Sequence, residues 1–193
     1  LLHVHQTVVS EHAQRPSFTW WMGGITFFLF LVEAVTGVLL MFRYRPTVEW
    51  AYSDMLDLRD VVSFGVLREV HRWGGHAMVI AVVLHMYRVF LTGSYKRPRE
   101  FNWCVGVLLL ILVLGLSFTG YLLPWDQLAY WAVTVGAGLA GDARSALLGG
   151  NSVGEETLNR FYVLHCLGLP MLASFLMALH FWRVRKDGIS GPL

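Results

Sequence analysis

His71 and His85 stand fourteen residues apart in one apolar stretch, and His165 and His180 fifteen apart in another. A histidine surrounded by hydrocarbon is costly unless something partners it. A single one reads as a hydrogen-bonded structural residue, but four of them at two nearly equal intervals read as metal ligands. Imidazole suits iron, zinc and copper, so the number of donors has to choose. Two nitrogens cannot complete a tetrahedral zinc site, whereas they fill both axial positions of a haem, whose porphyrin supplies the other four ligands. Cys166 could assist only one pair, and its side chain points about 100° round the helix from that of His165. The pattern therefore predicts two bis-imidazole iron sites, one above the other. His71 and His165 would hold the outer iron, and His85 and His180 the inner one.

Such ligands need rigid elements at two depths. About 20 residues of helix cross the hydrocarbon core, and four stretches qualify: Trp20 to Phe42, Val70 to Leu91, Trp103 to Leu123 and Phe161 to Trp182. The chain has 193 residues, 55% apolar and 15% charged, so little remains for a separate soluble domain. The expected fold class is an all-α membrane protein, a four-transmembrane-helix haem-binding bundle. An amphipathic loop helix is expected on the outer side, between spans three and four. Residues 1–18, with His3, His5 and His12, read as an N-terminal surface segment, and 19–193 as the membrane domain.

Spans two and four carry the histidines; spans one and three carry glycines at the same interval. Gly23 and Gly37 are fourteen residues apart, as are Gly106 and Gly120. Fourteen is two heptads, so in a left-handed bundle both positions return to one face, roughly 21 Å apart along the axis. Any one such glycine is ordinary membrane helix packing. The shared interval suggests that they leave flat room beside two macrocycles. Arg68 lies three residues before His71 and Arg88 three after His85. Each reads as snorkelling to the interface, as an anchor for a haem propionate, or as both. His76, five residues from His71, falls off the ligand face.

The net charge is +2, with no basic stripe that would suggest nucleic acid. Lys96, Arg97 and Arg99 cluster between spans two and three, and Arg183, Arg185 and Lys186 follow span four. The positive-inside rule puts both clusters, and with them both termini, on the cytoplasmic side. There is no Cys-x-x-Cys-His, so that route to covalent haem attachment is absent. The fifteen-residue interval of span four over-rotates its second ligand, and Pro170 between them predicts a kink or local unwinding that compensates.

The segments GGITFFLFLVEAVTG, HRW, LTGSYKRPREFNW, TGYLLPWDQLAYWAV, TLNRFYVLH and RKDGISGPL together resemble cytochrome b6 and the N-terminal half of cytochrome b, over essentially the whole chain. The fifteen-residue interval is the b6-like form. The resemblance implies a subunit of a quinol:acceptor oxidoreductase, not catalytic alone, that carries electrons across the membrane between two haem b groups. Implied partners are a Rieske iron-sulfur protein, a subunit-IV-like membrane protein bearing the C-terminal half of the family, a c-type cytochrome and a second copy of the complex. The quinone would be menaquinone or another bacterial quinone. Pro124, Trp125, Asp126, Tyr130 and Trp131 would line part of the quinol-oxidation pocket. Trp21 stands where the photosynthetic b6 proteins have the cysteine that holds an extra haem, so a covalent third haem is not expected, and a bacterial respiratory relative in the cytoplasmic membrane is. Glu33 stands where the family usually has glutamine. A dihaem anchor of another quinone-linked enzyme would use similar ligands, and a haem-free subunit could line a proton path with its histidines.

Overall fold

The computed structural model describes residues 20–188. The expected surface segment at residues 1–18 lies outside them. The chain runs through α1 (Met22–Met41), α2 (Ala51–Asp60), α3 (Val62–Leu91), α4 (Glu100–Leu122), α5 (Gln127–Leu139), a 3₁₀ turn (Gly141–Ala143), α6 (Arg144–Leu148), α7 (Glu155–Val163), a π turn (Leu164–Gly168) and α8 (Leu169–Asp187). No strand occurs among the described residues.

Four helical stretches are long and apolar enough to cross a membrane: Met22–Met41, Val62–Leu91, Glu100–Leu122 and the continuous run Glu155–Asp187. Helix is the form that satisfies every backbone N–H within its own segment, which lipid requires. The side chains follow suit. Phe28, Val35, Ile80, Leu108 and Phe175 point outward and are exposed, while Met78, Val82 and Val113 form a small interior cluster. An apolar exterior of this extent suits hydrocarbon rather than water.

Two helices are longer than their apolar cores suggest. α3 begins at Val62, eight residues before the expected Val70, because the charged turn at its start pairs internally: Arg68 Nη1 lies 2.9 Å from Glu69 Oε1, and Arg72 also bonds Glu69. α8 continues to Asp187, where Arg183 Nη2 meets Asp187 Oδ2 at 2.8 Å one turn on.

α1 packs along α3 and α4 along α8. Each histidine-bearing helix thus lies against a glycine-bearing one. The expected loop helix is α5, whose Ala129, Val133 and Ala137 join Leu122, Leu148 and Phe161 in a core that ties the ends of the last two spans together. A second cluster, Tyr44, Ala51 and Leu158, anchors the first loop to the same end. Three bonds fix the arrangement: Tyr44 Oη donates to the Leu123 carbonyl (2.6 Å), Thr157 Oγ1 to the Leu148 carbonyl (2.7 Å), and the Val48 N–H to Glu155 Oε2 (2.8 Å).

Asp54 locks that loop from within α2. Its buried carboxylate accepts from the Arg45 backbone N–H (2.7 Å), Nε (3.1 Å) and Nη2 (2.6 Å). The Arg45 hydrogen bonds hold the carboxyl below the usual carboxylate range. A depressed folded value contributes stability that is complete above the unfolded pKa, about 3.9 for aspartate, and that is lost as pH falls through the folded one. Asp54→Asn is therefore expected to lower the thermal midpoint at pH 7, with the gap to the native protein closing only below about pH 4. Melting curves across pH in detergent check this; a gap that closes above pH 6 would contradict it.

Candidate metal centres

Near the junction of α7 and α8 the rings of His71 and His165 face one another, with centroids 6.1 Å apart and planes at 85°. Two imidazoles on opposite sides of one metal, each nitrogen about 2 Å from it, have their ring centres about 6 Å apart. The orientation of each ring is set from behind. His71 Nδ1 lies 2.9 Å from Thr36 Oγ1, and His165 Nδ1 lies 3.2 Å from Thr119 Oγ1 and 3.1 Å from the Leu116 carbonyl.

Those partners also fix the tautomer. Thr36 Oγ1 already donates to the Val32 carbonyl (2.7 Å) and Thr119 Oγ1 to the Gly115 carbonyl (2.8 Å), so each hydroxyl can only accept from its ring. The Leu116 carbonyl can only accept, which puts the hydrogen of His165 on Nδ1; the same tautomer suits His71, and in it Nε2 keeps a lone pair free to bind a metal. Thr36 and Thr119 were not evident as site residues in the sequence. The signal that could have found them is the dipeptide Thr-Gly, which ends the glycine interval in both α1 and α4.

The second pair lies one interval further along. His85 and His180 are near enough to interact electrostatically. His180 Nδ1 is buried without a hydrogen-bond partner among the described residues. The interval in α8 is corrected as the sequence suggests, but one turn earlier than Pro170. The π turn Leu164–Gly168 contains His165 and takes up one surplus residue, so the rest of the helix keeps the fourteen-residue phase of α3. Pro170 has no N–H to offer the Cys166 carbonyl, which removes the bond that would tighten this turn to α-helix.

Each of the four glycines lies beside one of the four histidines. A methyl group on Gly120 would stand 2.5 Å from His165 Cε1, on Gly37 3.1 Å from His71 Cε1, on Gly23 3.4 Å from His85 Cε1, and on Gly106 3.8 Å from His180 Cε1. The glycines are thus the cradle in which the rings lie, and the donor set suits an iron that brings its own equatorial ligands. Among the described residues no group of three or more His, Cys, Asp or Glu is arranged to hold a metal ion.

The remaining candidates are distributed as follows. Arg68 is engaged with Glu69, facing a surface recess that Arg59 and Trp73 also line, and Arg88 is half-buried in the last turn of α3. His76 Nδ1–H donates to the Arg72 carbonyl (2.6 Å), a bond within its own helix. Pro124, Trp125, Asp126, Tyr130 and Trp131 gather at the start of α5. Asp126 caps that helix by accepting from the Ala129 N–H (2.8 Å). Trp125 adopts a left-handed backbone (φ 52°), packs against the cluster containing Tyr44 and Leu158, and meets Tyr130 edge-on at 6.5 Å. Tyr130 meets Trp131 edge-on at 5.4 Å, and both rings are exposed.

With this geometry in hand, the likenesses to known proteins are specific. The family model described as cytochrome b/b6/petB matches residues 7–188. Cytochrome b6 of Prochlorococcus marinus (strain MIT 9303) is 48% identical over 180 residues, covering 89% of this chain and 83% of that protein. Cytochrome b6 of Synechococcus elongatus is 47% identical over 180 residues, covering 89% of this chain and 84% of its own. A chain of the solved structure "Hyperthermophilic respiratory Complex III" superposes with a TM-score of 0.87 at 28% identity, covering 95% of this chain. This chain spans about half (51%) of the length of that one.

Proposed function

The chain belongs to the cytochrome b/b6 family, and from that premise we propose that it is the dihaem b-type subunit of a quinol-oxidising Rieske/cytochrome b complex, carrying electrons across the membrane between two bis-histidine centres. The observation that carries this reading is the pair of opposed rings, His71 and His165, each with Nδ1 tied to a glycine-bearing helix and Nε2 left as the ligand.

In this reading His71 and His165 hold one iron and His85 and His180 the other, stacked roughly 21 Å apart along the helices. Bound b-type haem supplies reversible one-electron chemistry at each level. The protein's part is placement. Gly23, Gly37, Gly106 and Gly120 keep the adjoining helix surfaces flat, while Thr36 and Thr119 hold the upper rings in one tautomer and one orientation. Arg68 and Arg88 lie within a turn of their ligands and would pair with the propionates of a bound haem. Pro124, Trp125, Asp126, Tyr130 and Trp131 form an aromatic wall for quinol, menaquinone or another bacterial quinone. Asp126 is committed to capping α5 and serves there by fixing the wall.

In this reading a subunit-IV-like membrane partner supplies the C-terminal half of the family. A Rieske protein would accept the first electron of quinol, with a c-type cytochrome beyond it, in a homodimeric complex that couples the oxidation to proton translocation. Both termini would lie on the inner, cytoplasmic side of the bacterial cytoplasmic membrane. A dithionite-reduced minus oxidised spectrum of the purified complex, with haem extracted and counted, is expected to give two non-covalent b-type haems per chain. A colourless chain, or one haem per chain, would overturn the proposal.

A further inference from the structure

We propose that Glu33 is a positioning residue that holds His71 through its Nδ1 side and so sets the electron affinity of the upper centre, but not of the lower one. This rests on the reading of His71 and His165 as haem ligands.

Glu33 is the single charged side chain in α1, and a carboxyl at that depth is expensive unless it does something there. Its Oε2 lies 3.1 Å from His71 Nδ1, beside the Thr36 hydroxyl. Its Oε1 is buried with no hydrogen-bond partner among the described residues. The site is built around it from the other helix as well. Gly74 and Gly75 of α3 face the carboxyl, and a methyl group on Gly74 would collide with Oε1. Two adjacent glycines in a helix interior cost stability relative to alanine, so their presence at this depth fits a role in making room.

The opposite ligand shows what is particular about Glu33. In α4 the residue three before the Thr-Gly pair is Leu116, and His165 Nδ1 there meets a neutral backbone carbonyl at 3.1 Å. The same position in α1 is Glu33. His71 thus meets the Glu33 backbone as His165 meets that of Leu116, and has in addition a carboxyl beside the same nitrogen. A carboxyl acceptor on the distal N–H of a ligating imidazole makes that imidazole a stronger donor to its metal. Stronger donation favours the oxidised iron, so the upper centre is held harder to reduce than its ligand set alone would make it.

The test uses the intact complex and two variants, with each haem followed by redox potentiometry and by its low-spin electron paramagnetic resonance signal. Glu33→Gln is expected to raise the reduced-to-oxidised ratio of one centre by about tenfold at a fixed potential, a shift of 59 mV for one electron. The other centre stays where it is. Gly74→Ala keeps the carboxyl in the chain but pushes it off the ring, and is expected to move the same centre in the same direction and to alter the same resonance signal. Unmoved potentials in both variants, or equal movement of both centres, would overturn the inference while leaving two countable haems and hence the proposed function standing. A native complex without b-type haem would overturn both.

Discussion

Replacing His180 with alanine is expected to remove one haem and halve the haem-to-chain ratio, with the upper centre retained. In the proposed reading His180 is the α8 ligand of the lower pair, and the surviving His85 would not hold a six-coordinate iron alone. Gly106 widens the site instead of adding a donor, and no cysteine or carboxylate among the described residues completes a substitute metal cluster. Electron passage across the membrane should then stop at the upper centre, so that quinol-reduced protein shows a single b-type band. His85→Ala is expected to give the same result. His76→Ala is the matched control, because its ring is bonded to its own helix and faces neither pair. Haem extraction and counting decides the matter, and two intact haems in His180→Ala would refute the ligand assignment.

A methyl group at Gly120 is expected to have the next largest effect. The added carbon would stand 2.5 Å from His165 Cε1 and 3.1 Å from both ring nitrogens, closer than carbon atoms approach in folded proteins. The ring cannot move away freely, since its Nδ1 is bonded to Thr119 and to the Leu116 carbonyl of the same helix, and retreat from Gly120 stretches both bonds. Overpacking of this kind costs about 1–3 kcal/mol, which corresponds to a loss of upper-haem affinity of about 5- to 160-fold. The other glycines provide an internal scale. Alanine at Gly37 (3.1 Å) should be milder, at Gly23 (3.4 Å) milder again, and at Gly106, where Met86 Sδ at 3.6 Å is the nearest neighbour, close to silent. Titrating haem into apoprotein for the four variants tests the order. Equal affinities for Gly120→Ala and Gly106→Ala would show that the glycines do not shape the site.

The features that follow a period were legible in the sequence: four apolar stretches of bilayer length, two histidine intervals, and two glycine intervals equal to the first of them. Periodicity reports which face a residue shares, so it puts the two glycines of each span on one face at two depths, but not which histidine each one meets. It could not report what stands behind a ring. Thr36 and Thr119 look like ordinary small polar residues of membrane helices, and their role emerges only when α1 meets α3 and α4 meets α8. Glu33 was visible as an unusual charge, but its partner was not, because His71 is 38 positions away in the chain. Helix ends were read short for the same reason. Arg68 and Glu69 look like a boundary by hydropathy, yet they neutralise one another within the helix. The correction near Pro170 was foreseen in kind and displaced by one turn, since a proline disturbs the hydrogen bond to the carbonyl before it rather than its own position.

The widened turn at Leu164–Gly168 also works as a tolerance joint. A residue added to or taken from a helix at such a turn does not rotate what lies below, so the count along the chain between His165 and His180 can change by one without turning either ring. Residue spacing in this helix is therefore a poor ruler of the face a side chain takes.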